Sequence, residues 1–170
     1  MDAHDLLLDH VGRVRELYVD VVDGLDLDAA HEQPLGRGNP VVWLLWHTAR
    51  VQDDHVAGLS GEPQAWTGWA ARFDLPLDVE DFGYGHGPEE VAAVRVDDLD
   101  LLVGYHRAVH ERTLSYLRRL DPATGGGPSE LDRVVDEAWD PPVTAGVRLV
   151  SVIGDCLQHL GQAAYVKGLR

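Results

Sequence analysis

Apolar positions recur along this chain with helical spacing in four long stretches, and sustained strand alternation occurs in none. In the first stretch Leu7, Val11, Val14, Tyr18, Val21 and Leu25 fall at alternating intervals of four and three, which puts one apolar stripe on a helix over residues 3–25 capped by Asp2. The second opens at Asn39-Pro40, a cap residue followed by a proline whose fixed φ suits the first helical position. It runs through VVWLLWHTARVQDDHVAGL and stops before Gly61-Glu62-Pro63. The third begins after Gly87, with Pro88, Glu89 and Glu90 in its first turn. One unbroken helix from there to Leu120 would be roughly 50 Å long at about 1.5 Å per residue, longer than its neighbours. A break is therefore expected near Asp97-Asp98, leaving LDLLVGYHRAVHERTLSYLRRL as the bundle helix, with Leu99, Leu102, His106, Val109, Thr113, Leu117 and Leu120 on one side. Thr144 caps the fourth, Ala145 to Lys167, whose stripe is Leu149, Ile153, Cys156, Leu160 and Ala164.

Residues 61–87 are rich in Gly, Pro and Trp and hold no period. They are predicted to form a long loop with one short helical turn around Trp66 to Phe73, and a loop of this length in a compact domain is usually functional. Asp121 to Gly127 is a turn-rich linker, and ELDRVVDEAWDPPVTAG carries no single pattern and receives no assignment. The expectation is an all-α protein: a single four-helix bundle domain over residues 1–170 with a long loop between helices two and three.

Composition narrows the functions. With 170 residues, 45% of them hydrophobic, the chain can bury a real core. No apolar run reaches eighteen residues, so no membrane-spanning helix is expected. The N-terminal MDAHDLLLDH has acids where a secretory leader would be basic, and the single cysteine, Cys156, provides neither a disulfide framework nor a dithiol. A cytoplasmic location is expected. The formal net charge of -15 disfavours nucleic acid and anionic membranes as partners, since phosphate affinity comes mainly from Lys and Arg.

The candidate chemistry lies on two helices. Asp155 and His159 are four apart on helix four and share a face. His47 sits in the middle of the most apolar helix, where leaving it without a partner would cost about 1–3 kcal/mol. Two histidines and a carboxylate suit zinc with one position left open, and nickel or iron also accepts this donor set. The same residues also fit blander roles: a carboxylate–histidine surface pair and a hydrogen-bonded core histidine. A rival constellation is His106 and His110, also four apart, followed by Glu111, with His106 on the apolar stripe.

Arg148 precedes Asp155 by seven residues and Arg50 follows His47 by three, so either can receive an anionic group or pair with a nearby acid. Trp43, Trp46, Trp66, Trp69 and Tyr84 serve as pocket wall or as core. Gln162, three beyond His159, is placed to support it as a hydrogen-bond donor. Cys156 points about 100° from Asp155, onto the core stripe, as a structural thiol.

The segments NPVVWLLWHTAR, FDLPLDVEDFGYGHGPEEVAAVR and VRLVSVIGDCLQHLGQAAYVKGLR resemble the DinB-like metalloprotein superfamily over nearly the whole chain, and more specifically its actinobacterial branch of mycothiol-dependent transferases and isomerases. The resemblance implies a metal held by a histidine of helix two and an H-x-x-x-H or E-x-x-x-H pair of the last helix, which fall here on His47, Asp155 and His159. Aspartate departs from that pattern and is shorter than glutamate by one methylene, so Asp155 either ligates directly, orients His159, or acts through water. The implied activity is a metal-dependent enzyme that activates a low-molecular-weight, mycothiol-like thiol for transfer to, or isomerisation of, an electrophilic small molecule. Arg148 would be the catalytic anchor for a carboxylate. The branch's maleylpyruvate isomerases carry an additional C-terminal domain, and a chain ending at Arg170 is not expected to share their reaction. Two alternatives stay open: a metal-dependent hydrolase and a non-catalytic metal- or ligand-binding protein. Thiol dependence separates them from the first reading. The implied partners are a small-molecule thiol and an electrophile, with a homodimer as the arrangement many relatives adopt.

Overall fold

The computed structural model describes residues 1–120 and 128–169, so the predicted linker at 121–127 lies outside the described residues. Helix α1 spans Ala3–Val22 and opens on a reciprocal cap: the Asp5 N–H donates to Asp2 Oδ1 at 2.9 Å and the Asp2 N–H to Asp5 Oδ2 at 3.1 Å. It ends three residues earlier than the apolar stripe predicts, because the chain turns at Gly24 with φ of 65° and leaves Leu25 outside the helix. A short helix not foreseen in the sequence, α2 (Leu27–His31), follows, and then a 3-10 turn at Pro34–Gly36. Helix α3 is Val41–Ser60, closed by Gly61 in the left-handed conformation.

The 61–87 stretch contains the predicted short turn, as a 3-10 segment at Ala65–Gly68 and α4 at Ala70–Phe73. Helix α5 (Pro88–Ala93) and helix α6 (Leu99–Arg119) flank the expected break, with Asp98 capping α6. Helix α7 (Pro128–Leu131) leads into strand β1 (Val134–Asp136), which pairs antiparallel with β2 (Val143–Thr144). This two-stranded ribbon corrects the expectation of no strand. The segments are too short to show alternation in the sequence, and the pairing is secured by the neighbouring Ala145 N–H donating to the Arg133 carbonyl at 2.8 Å. Helix α8 (Ala145–Gly168) is capped by Thr144 as predicted.

Helices α1, α3, α6 and α8 form the bundle, with α3 packed on α6 and α8 and α1 packed on the same two from the far side. Every residue from Val41 to Asp53 is buried, so α3 is enclosed on all sides. Along α8 the core position near its end is Ala163, and Ala164 is exposed. That corrects the predicted stripe: a 3.6-residue period drifts, and the step after Leu160 is three rather than four.

The polar residues of α3 fasten the long loop. Asp53 accepts the N–H groups of Ala65 and Trp66 and the Tyr105 hydroxyl, each at 2.8 Å. Arg50, fully buried, donates Nε to the Asp81 carbonyl at 3.1 Å and Nη1 to Gln64 Oε1 at 2.6 Å. Its guanidinium lies 4.8 Å from the Trp66 ring centroid. Arg50 is thereby committed to structure, and the anion-receiving role considered for it is withdrawn. Trp66 belongs to the core, while Tyr84 is 86% exposed.

Candidate metal centre

His47 from α3 and Asp155 and His159 from α8 come together where these two helices pack, each offering one ligand atom within 4.8 Å of the others. The imidazole rings of His47 and His159 are 4.8 Å apart at 74°. His159 Nε2 is 3.6 Å from Asp155 Oδ1, inside the roughly 3–4 Å separation of donors that share an ion at about 2.1 Å each.

The loop over α3 decides the tautomer of His47. Its Nδ1–H donates to the Phe82 carbonyl at 2.6 Å, which leaves the lone pair on Nε2. His159 is set in the same way: Nδ1–H donates to Gln162 Oε1 at 3.0 Å, so Gln162, expected as a donor, accepts instead. His159 Nε2 then faces Asp155 Oδ1 across 3.6 Å, too far for a hydrogen bond between them. Asp155 Oδ2 is buried with no hydrogen-bond partner. A divalent cation relieves both features, and the anchoring of each ring through its other nitrogen is the support that metal-binding histidines usually have. The residues present fit such an ion. Burial pushes the His47 pKa down against the Phe82 carbonyl, keeping the imidazole neutral as a ligand must be.

Among the supporting residues Gly83, His86 and Asp81 were not foreseen, whereas Trp43 was already considered as pocket wall or core. Gly83 has φ of 92°, and a Cβ there would sit 2.6 Å from His47 Nδ1, so only glycine lets the Phe82 carbonyl approach. Trp43 stacks on His47 at 4.6 Å and meets His159 edge-on at 6.2 Å. Its indole N–H donates to His86 Nδ1 at 3.1 Å, and His86 Nε2–H donates to Asp81 Oδ2 at 2.8 Å. Burial works to raise the Asp81 carboxyl, but the hydrogen bonds from His86 and Gly83 outweigh it and hold the group below its ordinary value. The run FGYGHG, with three glycines beside a histidine in an otherwise aperiodic loop, was the available clue.

Elsewhere, Arg148 Nη2 pairs with Asp136 Oδ2 at 3.0 Å across to β1. Cys156 is buried, its thiol directed at the Thr48 carbonyl, and burial pushes its pKa up, so it stays a structural thiol. His106 is wholly buried and accepts at Nδ1 from Arg15. A second acidic grouping, Asp2, His4 and Asp5, is the cap of α1.

The sequence pattern of the DinB superfamily matches residues 10–163. The chain belongs to the DinB superfamily. Among solved structures, this DinB chain is similar to a conserved protein from Enterococcus faecalis, at 34% identity and a TM-score of 0.85, over 98% of this chain and 96% of that one. No curated protein matches it at a significant level. Among the described residues, no helix of this DinB protein is long and apolar enough to cross a membrane.

Proposed function

We propose that this DinB protein is a metal-dependent enzyme in which His47, Asp155 and His159 hold one divalent ion, zinc first, with nickel or iron accepted by the same donors. The observation that carries the proposal is the convergence of His47, Asp155 and His159 ligand atoms within 4.8 Å of one another, with Asp155 Oδ2 buried and unpartnered. When bound, the ion supplies a Lewis acid that keeps a thiol in its thiolate form. The chain's own residues do the rest. Phe82 and Gln162 hold the two imidazoles in the ligating tautomer, so neither ring serves as acid or base. Trp43 covers the His47 face and keeps water from it. The proposed reaction joins the sulfur of a low-molecular-weight, mycothiol-like thiol to an electrophilic carbon, with loss of the thiol proton and either departure of a leaving group or protonation of the adduct, or reverses that addition after bond rotation to give isomerisation. That reaction class rests on the likeness of the chain to the mycothiol-dependent branch, and its proposed partners are the thiol and the electrophile.

Elemental analysis of protein purified without a histidine tag tests the centre: about one divalent ion per chain is expected in the wild type and background in His47→Ala. Equal metal in both removes His47 from the site. Consumption of thiol with a generic electrophile tests the reaction. Turnover of an ester or amide without thiol would replace transfer by hydrolysis, and bound metal without turnover of either kind would leave a binding protein.

A further inference from the structure

A recess of about 370 Å³ is lined by Asp54, His55, Gln64 and Arg148 together with apolar residues that include Leu59 and Val135. None of the three candidate ligands is among these lining residues, but the recess is built on the same two helices: His55 is eight residues beyond His47 on α3, and Arg148 seven before Asp155 on α8. Two helical turns are roughly 10 Å. The His55 ring also lies 6.4 Å from Phe82, whose carbonyl fixes His47.

The recess carries charges of both signs, Arg148 from α8 and Asp54 from α3. Arg148 spends one edge of its guanidinium on Asp136 of β1, and that pair is partly exposed, at 25% and 29%. A guanidinium carries five donors, so the rest of the fork is left for a second acceptor. On α3, Asp54 Oδ1 accepts from Gln64 Nε2 at 2.9 Å, and Oδ2 is 3.6 Å from His55 Nδ1. Gln64 is itself held through Oε1 by the buried Arg50, so the acidic side is rigidly placed. The basic side is tied down as well: Arg133, next to β1, donates Nη2 to the Leu59 carbonyl at 2.9 Å, docking the ribbon on the end of α3.

We infer that this recess binds a small zwitterion, its carboxylate on Arg148, its ammonium on Asp54, and the methylenes between them on Leu59 and Val135. The ligand's carboxylate competes with Asp136 for Arg148. The pocket stands on its own residues. If the metal reading also holds, the zwitterionic group is the end of the substrate or thiol that lies about 10 Å from the reacting atom, two helical turns away.

The test uses three five-carbon probes of one length: 5-aminopentanoate, glutarate and 1,5-diaminopentane, titrated into full-length 15N-labelled protein and followed by NMR. Saturable shifts at the Arg148 Nε–H and the amides of residues 54–59 are expected with 5-aminopentanoate, and binding about tenfold weaker with the other two, the loss of one charge-assisted contact. Arg148→Gln should weaken 5-aminopentanoate about tenfold, with Arg148→Lys intermediate. Asp136→Asn should tighten it severalfold, which a merely structural role for Asp136 would not do. Equal binding of the three probes, shifts confined to other residues, or weaker binding in Asp136→Asn overturns the inference. Zinc should not alter the affinity of these short probes. Probe binding without metal retention would sink the metal centre alone, and metal retention without probe binding would sink the recess alone.

Discussion

The bundle buries histidines in two seams, and their neighbours give them opposite chemistry. Between α3 and α8, His47 and His159 each donate Nδ1–H to an oxygen and offer a ligand atom within 4.8 Å of an Asp155 carboxylate oxygen. Between α1 and α6, His106 lies flat on Tyr18 at 3.9 Å and accepts at Nδ1 from Arg15 Nη1 at 3.1 Å. A guanidinium can only donate, so Arg15 consumes the lone pair a metal would need and adds a positive charge beside it. His110, with its ring 6.5 Å from His106, feels the same charge. Both seams contain a histidine with a partner four residues away, and each buries a histidine, His47 in one and His106 in the other. What separates them is whether the second nitrogen meets an oxygen or a cation. The rival constellation His106, His110 and Glu111 is therefore a poor cation site, and the three do not form a ligand cluster among the described residues.

The contrast breaks most directly on the ligands themselves. His47→Ala should lose more than about 100-fold in metal affinity by competition with a chelator, since changes behind a ligand already cost about 10–100-fold. The double variant His106→Phe, His110→Gln should keep its metal in full, and the reverse outcome would move the centre to the other seam. Gly83→Ala touches no ligand atom, yet it forces a Cβ onto His47 Nδ1 at a left-handed φ. A loss of about 10–100-fold in metal affinity with the helical content of the protein unchanged is expected. Gln162→Leu frees the His159 ring without displacing it and should fall at the low end, about tenfold.

The smallest effect sharpens the other side of the comparison. Burial, with Arg15 and His110 adding to it, holds His106 well below the ordinary imidazole pKa. Between an unfolded value of about 6.5 and that depressed folded value, the unfolded chain binds a proton that the folded chain refuses. Stability therefore rises with pH through this window and falls as the pH drops below about 6.5, by up to about 1.4 kcal/mol per pH unit for this one site. His47, His55 and His110 are also lowered and act in the same direction. Urea unfolding of His106→Phe between pH 7 and 5 should show a slope smaller by one proton. An unchanged slope would mean that His106 is protonated in the fold.

Much of the architecture was legible because long amphipathic helices repeat their instruction every turn. The stripe from Leu7 to Val21, the cap at Thr144 and the break before α6 all emerged in place. The misses are elements too short to repeat anything. Helix α2 has five residues and is fastened from outside: Asp26 caps it, and the Val96 N–H donates to His31 Nε2 at 3.1 Å. The β1–β2 ribbon depends in the same way on contacts with α3 and α8.

For the centre, the chain by itself determined which donors exist and that Asp155 and His159 share a helical face, because a spacing of four on a 3.6-residue helix leaves no other choice. Only the tertiary structure decided that His47 meets them, that Arg50 is consumed by the loop, and that Arg148 faces a recess. Those outcomes turn on partners distant in sequence. Some are backbone carbonyls, such as that of Phe82, whose chemistry is the same whatever side chain they carry and so leaves no mark in the order of residues.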